Sequence, residues 1–346
     1  AYSDRRLTAL PIQWADHAAA EAGRDHSADL AFWRSELAGL TPLELPADRP
    51  RPARRDWHGA SETFTVPPAV AAGVADLARR TDTTPFMVLL SAFQVLLARY
   101  TGRTDIPVGT VVSTRNRPEL QELIGYGINS LVLRGRWDGD PTFRDLLAAN
   151  RSRVGDAFAH VEVPFARLVD ELQPERDLSR TPLFQVAFAM QESRRAAFDL
   201  PGLDVAPAGA ASPVARFDLT LQLEWDADRP AGVMEYATAL FDRPTIQRMV
   251  GHLQRLLAAV TTDPERRLSA LPVLDEAELA RLVPPRAPVD GEPIPGCLHQ
   301  LWQRRVAAQP DAPALIVDGE GTGGEPRVRM SYAELNARAN RLAHHL

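Results

Sequence analysis

Residues 85–101 carry the clearest hydrophobic period in the chain: Phe86, Leu89, Leu90, Phe93, Leu96 and Leu97 fall on one broad face at helical spacing. Thr84 and Pro85 before them supply an N-cap and a first-turn proline, and Gly102 supplies the stop. So wide a stripe predicts deep burial. The same spacing predicts helices over 28–40, with Leu30, Phe32, Trp33 and Leu37, and over 68–80, 141–158, 164–172 and 245–260. Between 41 and 57, prolines at 42, 46, 50 and 52 alternate with arginines, which predicts an exposed, extended connector.

Strand signals fill the gaps. Residues 106–112 and 128–133 are apolar runs rich in β-branched side chains, and 62–66, 184–189 and 233–237 read as shorter strands. Residues 217–225 alternate apolar and polar with period two, so one face should pack and the other should meet solvent or a second layer. The polar loop 113–118 ends on Pro118, which predicts a short helix over 119–124. Strand, loop, helix, strand in this order predicts an α/β or α+β fold with a helix-covered sheet.

Composition narrows the class. With 346 residues and 45% apolar side chains, two or three ordinary domains are expected. A net charge of -6, from 39 basic and 45 acidic residues without a clustered basic stripe, argues against nucleic acid as a partner. No apolar run approaches the roughly 20 residues of a membrane span, and no signal peptide opens the chain, so a cytoplasmic protein is expected. Cys297 alone allows no intrachain disulfide and no cysteine-cluster zinc site, and it reads as an incidental thiol. Over 284–297 the composition turns to proline and glycine, predicting a semi-rigid linker. Beyond it, a helix over 298–308, strands over 314–317 and 327–330 around a glycine-rich turn at 319–324, and a helix from 332 make too few residues for a robust core. They read as the start of a truncated domain, and both chain ends read as cut.

Several ordered motifs carry a resemblance. Arg176-Asp177-Leu178-Ser179-Arg180-Thr181-Pro182-Leu183-Phe184-Gln185 follows His160-Val161-Glu162-Val163-Pro164-Phe165; upstream lie Pro11-Ile12-Gln13-Trp14-Ala15-Asp16-His17 and Ile124-Gly125-Tyr126-Gly127-Ile128-Asn129-Ser130-Leu131-Val132-Leu133-Arg134. Arg216-Phe217-Asp218-Leu219, Glu235-Tyr236 and Leu240-Phe241-Asp242 complete the set. Residues 1–283 resemble the C-terminal half of a condensation domain of nonribosomal peptide synthetases, in the chloramphenicol acetyltransferase-like superfamily. His17 and Gly127 depart from it, standing where an aromatic and a bulky residue are more usual. Leu298-His299-Gln300-Leu301, Pro310-Asp311-Ala312-Pro313-Ala314 and Met330-Ser331-Tyr332-Ala333-Glu334-Leu335-Asn336-Ala337-Arg338-Ala339-Asn340 resemble the start of an adenylation domain. The resemblance implies an α/β fold: the C-terminal lobe of a two-layer sandwich, with a mixed sheet and covering helices, over 1–283, then the linker 284–297 and an incomplete adenylation segment over 298–346.

What the resemblance implies for function follows from the same motifs. The intact protein would form an amide between a carrier-bound aminoacyl or peptidyl thioester and a carrier-bound amine. Its partners would be donor and acceptor peptidyl carrier domains and the rest of the synthetase. No cofactor is expected on this chain: phosphopantetheine belongs to the carriers, and ATP with Mg²⁺ to a complete adenylation domain. The family's His-His-x-x-x-Asp-Gly motif supplies the acting histidine, and the chain offers only His344-His345 with no Asp-Gly behind it. No catalytic residue is therefore expected here, and the chain alone should be inactive.

Arg115, Tyr126, Gly127 and Asn129 are the residues that the resemblance places at the substrate tunnel. Asn129 would orient the thioester or amine, or simply be a satisfied polar residue at a strand start. Arg115 would pair with the missing motif's aspartate, unless it is ordinary surface charge. Asp177, Ser179 and Arg180 would form a hydrogen-bonded turn that positions the next strand, and His160 would pack rather than act as a base. The alternative is a condensation-like domain that recruits a tailoring enzyme or carrier, for which the tunnel room left by Gly127 speaks; a free-standing coenzyme A acyltransferase fits the adenylation-like segment poorly.

Overall fold

The computed structural model describes residues 9–174, 177–192, 213–225, 230–283, 296–317 and 328–345. Arg176, residues 284–295 of the expected linker, and the glycine-rich turn at 319–324 lie outside them. The chain divides into two units, Ala1–Leu279 and Ala280–Leu346.

In the first unit, α1 (Trp14–Ala22) and α2 (Ser27–Glu36) lead into β1 (Gly59–Thr65), and α3 (Pro68–Arg80) and α4 (Pro85–Thr101) follow. Helix α4 forms as its signals predict: Thr84 accepts the Met87 N–H, and Gly102 closes the helix with φ 69°, a conformation that suits glycine. Ten consecutive residues, Val88 to Leu97, are buried. Strand β2 (Asp105–Ser113), the single-turn α5 (Pro118–Gln121), β3 (Ile128–Arg136), α6 (Phe143–Ala159), α7 (Phe165–Leu172), β4 (Val186–Glu192), β5 (Leu219–Trp225), β6 (Ala231–Ala237) and α8 (Arg243–Thr262) complete the order, and the unit boundary falls within α9 (Glu276–Leu282).

The six strands make one mixed sheet in the order β1-β6-β5-β4-β2-β3. Strand β4 runs parallel to both neighbours, and the other pairs are antiparallel. Helices α3, α4, α6 and α8 pack on one another and on the sheet, so the core lies between them and one sheet face. On β3, Gly135 faces Gln94 of α4, whereas Arg134 turns the other way and donates to the Glu36 and Ala38 carbonyls at the end of α2. The second face is covered only in part, by α2 and α7.

Three sequence expectations change. The connector 41–57 is not simply exposed: Leu43 and Leu45 are buried, and Leu43 N–H donates to the buried Gln185 side chain. The helix expected over 119–124 stops at Gln121, leaving Ile124 95% exposed in a loop. Residues 14–22 form a helix that no apolar stripe announces, started by a capping box between Gln13 and Asp16.

The second unit holds α10 (Leu298–Ala308), the antiparallel pair β7 (Pro313–Val317) and β8 (Val328–Ser331), and α11 (Tyr332–His345). Trp302 joins the two helices by donating to Asn336 Oδ1 at 3.1 Å. Neither helix has a buried residue among those described, and Leu298, Ile316 and Leu342 are exposed. Among the described residues no single helix is long and apolar enough to cross a membrane.

Candidate functional site

At the head of β3, Asn129 uses its whole amide. Nδ2 donates to the Val161 and Val163 carbonyls, both at 2.7 Å, while Oδ1 accepts the N–H of Ser130 at 2.9 Å and of Phe165 at 3.0 Å. The segment between α6 and α7 is thereby clamped over the strand. A thioester or amine could reach this amide only by displacing one of those bonds, so the geometry is that of a positioning clamp.

Arg115 lies just beyond β2. Its Nη2 donates to the Gly125 carbonyl at 2.9 Å, and its guanidinium stands 5.7 Å from the Trp14 ring centroid. Nη1 is buried and has no hydrogen-bond partner among the described residues. A Cβ on residue 127 would overlap that nitrogen. The room left by Gly127 is therefore occupied by a guanidinium, which corrects the expectation that this glycine opens the tunnel. Tyr126 and Ile124 beside it are 78% and 95% exposed.

The motif after α7 folds on itself as a turn. Asp177 Oδ1 accepts the Ser179 N–H at 2.7 Å, Oδ2 accepts Arg180 Nε at 2.9 Å, and Arg180 also pairs with Glu44. The Ser179 hydroxyl and N–H, helped by Arg180, hold the Asp177 carboxyl below its ordinary value. A lowered folded value stabilises the turn above the ordinary carboxylate range, and that contribution is lost as pH falls through the folded value. The protection factor of the Ser179 amide against hydrogen exchange should accordingly fall on acidification, and Asp177→Asn should abolish that pH dependence.

Residues that sequence reasoning did not assemble hold this turn from behind. Arg51 reaches from the connector to pair with buried Asp218 through both guanidinium nitrogens and also donates to the Ser179 carbonyl. Gln185 accepts Leu43 N–H and donates to the Thr181 carbonyl. Gln185 and Asp218 both sit inside motifs that carry the resemblance, so their types were visible; Arg51 was one arginine among several. Phe184 closes over Gly109 of β2, where any Cβ would fall within the ring.

These pieces surround an apolar recess of about 430 Å³. Ser130 follows the clamp residue, Phe165 opens α7, Thr181 and Phe184 come from the turn, and Phe217 and Trp57 complete the wall. Among the described residues, Arg216 is the only titratable side chain in the lining. Arg115, which follows β2, and Tyr126 and Gly127, which precede β3, are not part of this lining. Among the described residues no histidine is in this lining: His160 stacks on Phe32 at 4.2 Å and bonds Asp29 at 2.6 Å, and His344 bonds the Asn340 carbonyl. Such a site can hold and orient an uncharged chain.

The chain is similar to known proteins in sequence and in fold. Malpinin synthetase of Mortierella alpina is 39% identical over 98% of this chain, which spans 4% of that protein. Phosphinothricin tripeptide synthetase PhsC of Streptomyces viridochromogenes is 39% identical over 99% of this chain, corresponding to 32% of its own length. The X-domain from teicoplanin biosynthesis superposes with a TM-score of 0.70 at 29% identity, over 78% of this chain and 64% of its own. Residues 1–283 match the Condensation domain family, and with that match, the mixed sheet and the motif-walled recess together, the chain belongs to the condensation domains of nonribosomal peptide synthetases.

Proposed function

We propose that this chain is the C-terminal lobe of a condensation domain, joined by the linker 284–297 to the first elements of an adenylation domain over 298–346. In the intact synthetase the domain joins a carrier-bound acyl thioester to a carrier-bound amine, forming the amide and releasing the donor thiol. The recess lining carries this reading: it is walled by the family's motifs and built to hold a chain, and among the described residues its one titratable group is an arginine, which cannot take the proton from the attacking amine. The base then comes from outside these residues, as the His-His-x-x-x-Asp-Gly resemblance implies. Proximity and orientation are what this lobe contributes.

Individual residues acquire roles on this reading. Asn129 fixes the recess wall through the segment 161–165, and the turn at Asp177, Ser179 and Arg180 sets Phe184. Arg115 offers its unpartnered Nη1 to a carboxylate of the other lobe, with Gly127 giving it room and Tyr126 covering the contact. The donor and acceptor arms are phosphopantetheine on partner carrier domains, and ATP with Mg²⁺ belongs to the complete adenylation domain. The adenylation start rests on the motifs of residues 298–340 alone; the match to PhsC covers 99% of the chain and so runs on past residue 283. The recruiting alternative draws less support from Gly127, because Arg115 occupies the space beside it.

The Arg115 contact is open to measurement. Arg115→Ala should weaken binding between this chain and a separately produced polypeptide bearing the His-His-x-x-x-Asp-Gly half by at least about tenfold, as for a buried charged contact that loses one partner. Equal binding of the two forms would remove Arg115 from the interface.

A further inference from the structure

The aromatic wall of the recess narrows what can occupy it. Buried Phe184 anchors that wall, with the half-buried Phe165 ring 5.6 Å away in an edge-to-face arrangement and the half-buried Phe217 ring 5.0 Å away. Aromatic rings attract one another at centroid separations of about 4.5–7 Å, so the uncovered parts of Phe165 and Phe217 suit a further ring. Trp57 lines the same recess and is 55% exposed. So large an apolar ring, open to water, gains free energy when an occupant covers it.

Exposure does not leave Trp57 loose. Its carbonyl accepts the Ala215 N–H at 2.9 Å, the Gly59 N–H donates to the Pro213 carbonyl at 2.8 Å, and His58 and Val214 pair between them as an antiparallel bridge. A Cβ on residue 59 would lie 2.5 Å from the Ala215 nitrogen, so glycine is what allows the two segments to approach. The Arg55 guanidinium stands 4.4 Å from the Trp57 ring centroid and also donates to the Arg216 carbonyl. One face of the indole is thereby taken, and an occupant meets its other face or its edge. Charge sets a second limit. Among the described residues the lining holds no acidic side chain, and exposed Arg216 opposes a cationic one entering. At about 430 Å³ the recess has the size of a small-molecule site.

We infer that the recess is a side-chain subsite for an aromatic aminoacyl group, with Trp57 as its specificity-determining residue. The inference rests on the reading of the recess as the place where this lobe holds a reactant, and its test is separate from amide formation.

The full chain is titrated with N-acetyl-phenylalanine methylamide, and with the cyclohexylalanine, alanine and lysine analogues for comparison. Saturation-transfer NMR gives the affinities, and the ¹H–¹⁵N indole resonance of Trp57, assigned with Trp57→Phe, gives the location. The phenylalanine compound should shift that resonance and bind at least about tenfold more tightly than the alanine compound, through burial of its ring. It should bind about threefold more tightly than the cyclohexylalanine compound, through ring–ring contact. The lysine compound should bind no better than the alanine one. Trp57→Leu, which keeps an apolar wall without the ring, should weaken the phenylalanine compound at least about threefold. Equal affinity for the phenylalanine and alanine compounds, or equal phenylalanine binding by correctly folded Trp57→Leu, would overturn the inference. Amide formation by the two halves together, beside an unselective recess, would overturn the inference and keep the reading of the domain. A selective recess without amide formation by the two halves would overturn that reading and keep the aromatic subsite.

Discussion

Asp218→Ala is expected to destabilise the first unit by about 3–5 kcal/mol, the range for removing one partner of a buried ion pair. Asp218 is 6% exposed and takes both terminal nitrogens of Arg51. Burial lowers the pKa of neighbouring Arg55, the Asp218 charge opposes that fall, and Arg51 adds to it. Deleting the carboxylate leaves two guanidiniums facing each other in a poorly solvated corner. The loss should spread to the Asp177 turn, because Arg51 also holds the Ser179 carbonyl. Urea unfolding followed by far-ultraviolet circular dichroism measures the cost. The double variant Arg51→Met/Asp218→Leu should recover much of it, since replacing both charges with apolar side chains leaves nothing uncompensated. A loss below about 1 kcal/mol for Asp218→Ala would place the pair in the class of surface salt bridges.

Asn129→Ala is expected to be nearly as costly, at about 3 kcal/mol, because four backbone groups lose their partner at once and each unsatisfied buried group costs about 1–3 kcal/mol before relaxation. The Val161 and Val163 carbonyls and the Ser130 and Phe165 N–H groups are the ones affected. Asn129→Asp separates the two halves of the clamp: it still accepts from Phe165 but sets a carboxylate against two carbonyls. Both variants should raise hydrogen exchange over 161–165 while leaving α4 protected. Unchanged exchange in that segment would show that the clamp does not hold it.

Local signals were legible in the sequence, and distant pairings were not. Thr84, Pro85 and Gly102 each act within one helix end, so their types announce α4 directly. The paired runs of β2 and β3 were visible because apolar residues, β-branched ones among them, cluster in both. The connector misled because prolines and arginines dominate its composition, while its placement rests on buried Leu43 and Leu45 and on the Arg51–Asp218 pair. Helix α1 was missed because Trp14-Ala15-Asp16-His17-Ala18-Ala19-Ala20-Glu21-Ala22 has no apolar stripe to read. At the site, Asn129 and Arg115 were named from motifs, but their partners were hidden. Asn129 meets carbonyls 32 and 34 residues away, and backbone carbonyls leave no trace in side-chain type. That Gly127 is room for Arg115 rather than for substrate follows only from where the guanidinium lies. Arg51 and Asp218 are 167 residues apart, and nothing in either segment marks the pairing.

The central claim is that this lobe orients the reactants while the proton-accepting group lies outside it. Amide formation between an aminoacyl thioester on a donor carrier and an aminoacyl amine on an acceptor carrier tests it most directly, measured by mass spectrometry with this chain alone and with the polypeptide bearing the His-His-x-x-x-Asp-Gly half added. The account predicts no product above the uncatalysed rate from the chain alone and product when the two are combined. Amide formation above that rate by the chain alone would contradict it.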